Sequence, residues 1–172
     1  DITDIEGELD RIQALGMRGI KLHPDFQRFN IDEAGMLEVY AACMRRGMVV
    51  LFHTGDDRTD FSSPRRLARV LEKLPDFVCI AAHLGGYREW ADARAVLQGT
   101  NVYIDTSSSL FAVSAEDARR SIAHFGVDKT LFGTDFPMWT PKEELERFFA
   151  LGYGEAENRK MLYDNFARLF SL

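Results

Sequence analysis

Apolar positions recur along this chain in two alternating rhythms. In "IEGELDRIQAL", Ile5, Leu9, Ile12 and Leu15 take the spacing of one helix face, and the run stops at Gly16. "GIKLH" follows, a short apolar stretch of strand type with Lys21 inside it. The pair then repeats. "DEAGMLEVYAACMRR" carries a stripe through Met36, Leu37, Tyr40 and Met44, with Asn30 or Asp32 as its cap, and stops at Gly47 before "MVVLFH". "SPRRLARVLEKL", with Ser63 as N-cap and Pro64 at the first helical position, leads to "FVCIAAH"; "REWADARAVL" leads to "NVYID"; "SAEDARRSIAHF" leads to "TLFGTD". The tail, "PKEELERFFALG" and "EAENRKMLYDNFARLF", predicts two more helices.

Five apolar strands joined by helices predict an α/β fold, a parallel sheet covered by helices with right-handed crossovers. No low-complexity linker interrupts the pattern, so residues 1–172 are expected to form one domain. A hydrophobic content of 46% supports a real core in a chain of this length.

Charge narrows the partners. The 27 acidic and 21 basic residues leave a net charge of −6 without a basic block, which argues against nucleic acid and anionic membranes. No apolar run reaches the roughly 20 residues of a membrane span, and the acidic start "DITDIEGELD" is unlike a signal peptide, so a soluble, cytoplasmic protein is expected. Cys43 and Cys79 fall inside a predicted helix and a predicted strand and read as buried thiols.

The candidate chemistry sits where the strands stop. Their ends carry Lys21 and His23, His53, His83, Asp105 and Asp135. In parallel α/β folds, ligands bind beyond the C-terminal ends of the strands. Each residue also has a structural reading: His53 and His83 as hydrogen-bonded core histidines, Asp135 as a cap, Asp105 as a turn residue before Ser107–Ser109. Three strand ends carrying such groups together favour function. His124, near a helix terminus, reads as a dipole contact or an exposed side chain. Two imidazoles and a carboxylate suit zinc or a similar divalent cation, which lowers the pKa of bound water towards about 7. A serine nucleophile lacks its GxSxG elbow, and no GxGxxG or GxxxxGK[ST] loop occurs.

"GIKLHP", "VLFHTG", "AAHLGG", "NVYIDTS", "LFGTDFP" and "LYDNFARLF", in this order, resemble the amidohydrolase superfamily, in its amidohydrolase-related branch of TIM-barrel metal-dependent hydrolases. The resemblance implies that the five strands are strands four to eight of a (β/α)8 barrel, the C-terminal part. It implies metal ligation by His53, ligation or catalysis beside the metal by His83, and ligation with proton acceptance by Asp135. Lys21 takes the place where some relatives carry a carboxylated lysine, and a substrate contact is the preferred reading. His23, Arg58 and Trp139 are further candidates for substrate contact, with Arg88, Trp90 and Met138 near them.

The resemblance also implies a first strand ending in an HxH or ExH pair, which this sequence lacks. A closed barrel typically takes about 250 residues, so the sheet edges must be covered by an N-terminal segment or by a second copy in a homo-oligomer. Without the first-strand pair the cation would be held more weakly, and were these residues the whole molecule the site would be empty or substituted. The expected activity is metal-dependent hydrolysis of an amide, ester or lactone. The alternatives are decarboxylation of an aromatic or unsaturated acid, and a catalytically inert remnant. A flavodoxin-like open sheet with an anion near Gly85 and Gly86 accounts for the alternation but not for the histidines.

Overall fold

The computed structural model describes residues 4–97 and 99–172; the first three residues of the acidic N-terminal stretch lie outside them. Helix α1 (Ile5–Ala14) is capped by Asp4, whose carboxylate accepts the Gly7 N–H at 2.9 Å. Strand β1 (Gly19–Leu22) leads through a short helix α2 (Pro24–Gln27), which the apolar pattern did not predict, to α3 (Ala34–Arg45) and β2 (Val49–Phe52). Helix α4 (Pro64–Lys73), β3 (Cys79–Ala81), α5 (Trp90–Val96), β4 (Val102–Asp105), α6 (Ala115–Phe125) and β5 (Thr130–Leu131) continue the alternation. Helices α7 (Pro141–Phe149), α8 (Glu155–Arg159) and α9 (Asn165–Phe170) close the chain, with a π-helical turn over Lys160–Asp164.

One cap differs from expectation, and a second stands in its expected place without its side-chain hydrogen bond. Helix α3 begins after Glu33, with no side-chain cap. Asp32 instead pairs with Arg66 and Arg69, and the Asn30 N–H donates to Glu33, because the charged partners across the α3–α4 crevice outcompete a local cap. Ser63 occupies the N-cap position of α4 without a hydrogen bond from its hydroxyl.

All five strands are parallel, in the sequential order β1-β2-β3-β4-β5. Sequential order, with crossovers of the right hand that βαβ units favour, puts the helices on one face and curls the sheet like part of a barrel, whereas a flavodoxin-like sheet would place β1 inside the order. Register confirms the two faces: Val50, Cys79 and Val102 align on one side, as do Phe52, Ala81 and Ile104. These residues pack into the main core with the helices. Tyr40, Phe52 and Phe77 form its aromatic centre, with the Tyr40 hydroxyl donating to the Ile31 carbonyl at 3.0 Å. The buried thiols of Cys43 and Cys79 are both free and lie in this layer.

The opposite, concave face is thinner. Val49, Ile80 and Leu131 are covered there by Leu51, Tyr103, Leu169 and Phe170, so α9 lies against the N-terminal end of the sheet. Arg18 ties that end down by donating to the carbonyls of Phe170 and Ser171. The other anchor is Asn165, buried, whose amide donates to the carbonyls of Val127 and Thr130 at 2.7 Å each. The π-turn frees the Met161 carbonyl to accept the Phe132 N–H at 2.9 Å. Strand β5 is thus short but held from below. The chemistry-bearing rim lies at the opposite end.

Candidate functional site

Histidine 23 follows β1 directly and opens α2. Its Nδ1 accepts the Phe26 N–H at 3.3 Å, and its ring is sandwiched between Phe26 and His53 at 3.8 Å on each side. Asp25, two residues on, accepts hydroxyls from Thr59 (2.6 Å) and Ser62. Among the described residues, His23, Asp25 and His53 are the group whose ligand atoms lie within 4.8 Å of one another. Three features weigh against a shared ion there. The His23 and His53 planes are only 10° apart, so their in-plane lone pairs run side by side instead of converging. The His23 Nδ1 lone pair caps a helix, and the Asp25 carboxylate already has two donors.

Histidine 53 follows β2 and meets His83 across the rim, with His53 Nδ1 and His83 Nε2 2.9 Å apart. His83 Nδ1 lies 2.9 Å from the Ser107 carbonyl and 3.1 Å from the Ser107 hydroxyl. His53 Nε2 is buried and has no partner among the described residues. Burial first, then the neighbouring His83, His23 and Lys21, push the His53 imidazole down to about 3. Gly55 lets this rim close: a Cβ there would stand 2.6 Å from the Tyr87 nitrogen, whose N–H donates to Thr54.

Asp105 ends β4 and works as a clamp. Its Oδ1 accepts the backbone N–H of His83 (3.0 Å), the backbone N–H of Ser107 (3.0 Å) and the Ser107 hydroxyl (2.5 Å). Lys21 projects from the edge strand on the same concave face, solvent-exposed on its open side. Crowding by the protein lowers its ammonium pKa, and the nearby carboxylates of Asp105 and Asp135 oppose that fall.

Asp135 lies beyond β5 and is exposed, with its Oδ2 accepting the Ser108 hydroxyl at 2.7 Å. It is not part of the group that His53 forms with His23 and Asp25. Trp139 Nε1 donates to the same Ser108 oxygen at 3.2 Å, under the Arg147 guanidinium 4.5 Å from the indole and beside Phe111. Arg58 forks onto the buried Asp56 carboxylate, and Arg88 lies against Tyr87 and Asp57. His83, Leu84, Ser108 and Asp135 all hold positive φ (63°, 54°, 44° and 57°), a conformation that strains residues with a Cβ. The strain gathers at this rim.

The structure therefore joins His53 to His83, Lys21 to the field of two acids, and Trp139 to Asp135 through Ser108. Arg58 is drawn to Asp56. The sequence reading did not assign roles to Asp25, Ser107 or Ser108; the signal available was "DTSSS" directly after a strand, which resembles an ordinary turn until its partners are known.

A family model described as Amidohydrolase matches residues 5–172. No curated protein matches the chain. An uncharacterised TIM-barrel protein from Bordetella bronchiseptica is similar at 26% identity and TM-score 0.84, over 96% of this chain and 61% of its own. A dihydroxybenzoic acid decarboxylase from Polaromonas sp. JS666, solved with bound manganese and 2-nitroresorcinol, is similar at 17% identity and TM-score 0.73, over 97% of this chain and 65% of its own. A probable 2-pyrone-4,6-dicarboxylic acid hydrolase from Acinetobacter baumannii, with citric acid bound, has the same identity and score, over 97% and 69%. The chain thus spans about two thirds or less of the first two proteins' lengths. No helix among the described residues is long and apolar enough to cross a membrane.

Proposed function

Since this chain belongs to the amidohydrolase family, we propose that it supplies the catalytic rim of a metal-dependent enzyme acting on a small molecule. The observation that carries this reading is the unpartnered, buried Nε2 of His53 beside a hydrogen-bonded His83, on a strained rim. A buried lone pair without a donor is destabilising unless something occupies it, and nitrogen with carboxylate oxygen suits a divalent cation. His53, through its bare Nε2, and Asp135 would hold that ion, with His83 beside them as the catalytic group. Zinc and manganese both suit the donor set.

When bound, such an ion supplies an activated water and polarises a carbonyl oxygen. The chain's own groups do the rest. Asp135 accepts a proton at Oδ2, the oxygen that Ser108 orients. His83, with Nδ1 held against the Ser107 carbonyl, stabilises the charge that develops on the substrate. Lys21 offers a positive charge to a substrate carboxylate or a developing oxyanion. The hydrolytic form acts on an amide, ester or lactone. A second reading, decarboxylation of an aromatic or unsaturated acid, is supported to the same degree, because the similar structures include both a named decarboxylase and a probable hydrolase.

Among the described residues strand β1 has no neighbour beyond it, and a groove of about 540 Å³ runs along it between Ile5, Leu9, Ile12, Met17, Ile20 and Leu22. A further βα segment, or a second copy, would cover that edge.

Calorimetric titration of the chelator-treated protein with zinc and with manganese tests the reading. Weak, saturable binding that His53→Ala abolishes and His124→Ala preserves is expected. Binding unaffected by His53→Ala would overturn it, and product analysis with a lactone and with a hydroxybenzoate then separates the two reactions.

A further inference from the structure

The three consecutive serines after β4 look like candidate nucleophiles, yet each hydroxyl is committed: Ser107 to Asp105, Ser108 to Asp135 and Ser109 to the Ser107 carbonyl. Their partners point to a different task. A carbonyl oxygen only accepts, so the Ser107 carbonyl, 2.9 Å from His83 Nδ1, requires a proton on that nitrogen. The Ser107 hydroxyl donates its own proton to Asp105, so it too faces His83 as an acceptor. A neutral His83 then bears its lone pair on Nε2. That lone pair faces His53 Nδ1 at 2.9 Å, so His53 carries its proton on Nδ1 and is left with a bare Nε2. The orphan atom is the end of a polarised series that begins at Asp105.

We propose that the Asp105–Ser107 turn is a positioning element that sets the tautomers of both His83 and His53, and so presents His53 Nε2 as the rim's free lone pair. Asp105 holds the turn by accepting from two backbone amides and one hydroxyl, including the N–H of His83 itself. The carbonyl that selects the tautomer therefore cannot move without breaking the clamp. His23 provides an internal contrast: its Nδ1 accepts from the Phe26 N–H, so its proton sits on Nε2, the opposite tautomer on a ring stacked against His53. This assignment holds whichever reaction the rim performs, because it is a property of the metal-free protein.

Long-range proton–nitrogen correlation spectra of histidine-labelled, chelator-treated protein at about pH 8 test it, with His83→Gln, His23→Gln and His124→Gln for assignment. Protonated Nδ1 with bare Nε2 is expected at both His53 and His83, and the reverse at His23. Asp105→Ala is expected to give mixed tautomers at His83 and His53, and Asp105→Asn, which keeps the accepting oxygen, to restore the single form. Protonated Nε2 at His83 or His53 in the unsubstituted protein overturns the inference, and that reading stands even if Asp105→Ala fails to fold. Unchanged tautomers in a folded Asp105→Ala protein overturn it too.

Discussion

Ser108 donates its hydroxyl to Asp135 Oδ2 at 2.7 Å, and both residues hold left-handed backbone, at φ 44° and 57°. Two strained positions on separate loops thus stabilise each other through one hydrogen bond. The loops after β4 and β5 are joined at the point where the carboxylate stands, and Trp139 closes the contact from the other side at 3.2 Å.

The strain and the bond can be separated by substitution. Ser108→Gly loses the hydroxyl but gains backbone freedom, whereas Ser108→Ala loses the hydroxyl and keeps the strained conformation. Urea denaturation should therefore find Ser108→Ala less stable than Ser108→Gly by about 1 kcal/mol, the cost of a Cβ in left-handed backbone less the extra chain entropy of glycine. Equal stability of the two would mean that the left-handed turn carries no strain.

Stability should fall with acid through His53. Burial holds His53 down at about 3, against an ordinary unfolded value near 6.5. Below pH 6.5 the unfolded chain takes up a proton that the folded chain refuses, so stability is lost progressively as pH falls towards 3. Denaturation midpoints of chelator-treated protein at pH 7.5 and pH 5 should show the loss, and His53→Gln should reduce it. A midpoint with the same pH slope in both proteins would contradict the assignment.

Glu89 should act in the opposite direction. Burial first, then the charges of Asp92, Asp60, Asp25 and Asp56, raise its carboxyl to about 7, and its Oε2 has no hydrogen-bond partner. The contribution is fully present below the unfolded value near 4.5 and is lost as pH rises through 7. Glu89→Gln should therefore stabilise the protein at pH 8 more than at pH 5, measured by thermal unfolding at the two pH values.

Asn165 is a buried polar residue with two carbonyls to satisfy. Its amide satisfies two carbonyls below β5 at 2.7 Å each. Asn165→Ala should destabilise by about 2–4 kcal/mol, since both acceptors lose a donor in a buried place. Asn165→Asp, nearly the same shape, should be at least as damaging, because a carboxylate faces two carbonyl oxygens without a proton to give. Chemical denaturation of the two variants decides it.

Much of the architecture was legible because it depends on local rhythm. The helix stripes and apolar strands follow from periodicity, the parallel sheet follows from strands apolar on both faces, and the match over residues 5–172 agrees with the motifs. Short α2 was not legible, since four residues opened by a histidine cap carry no stripe. The α3 cap was misread because Asp32 has a stronger partner in α4, thirty-four residues away.

The order of strand ends, and which residue types stand on them, were properties of the sequence alone: at least one polar group at each strand end, two at the first, brought to one rim by the parallel arrangement. Tertiary structure alone decided how those groups divide. His53 went to His83 and the stacked His23, Asp105 became a clamp, and Asp135 was tied to Ser108. The reason is physical: periodicity reports which face a side chain occupies, whereas a hydrogen bond depends on distances of a few tenths of an ångström set by loops packing against loops.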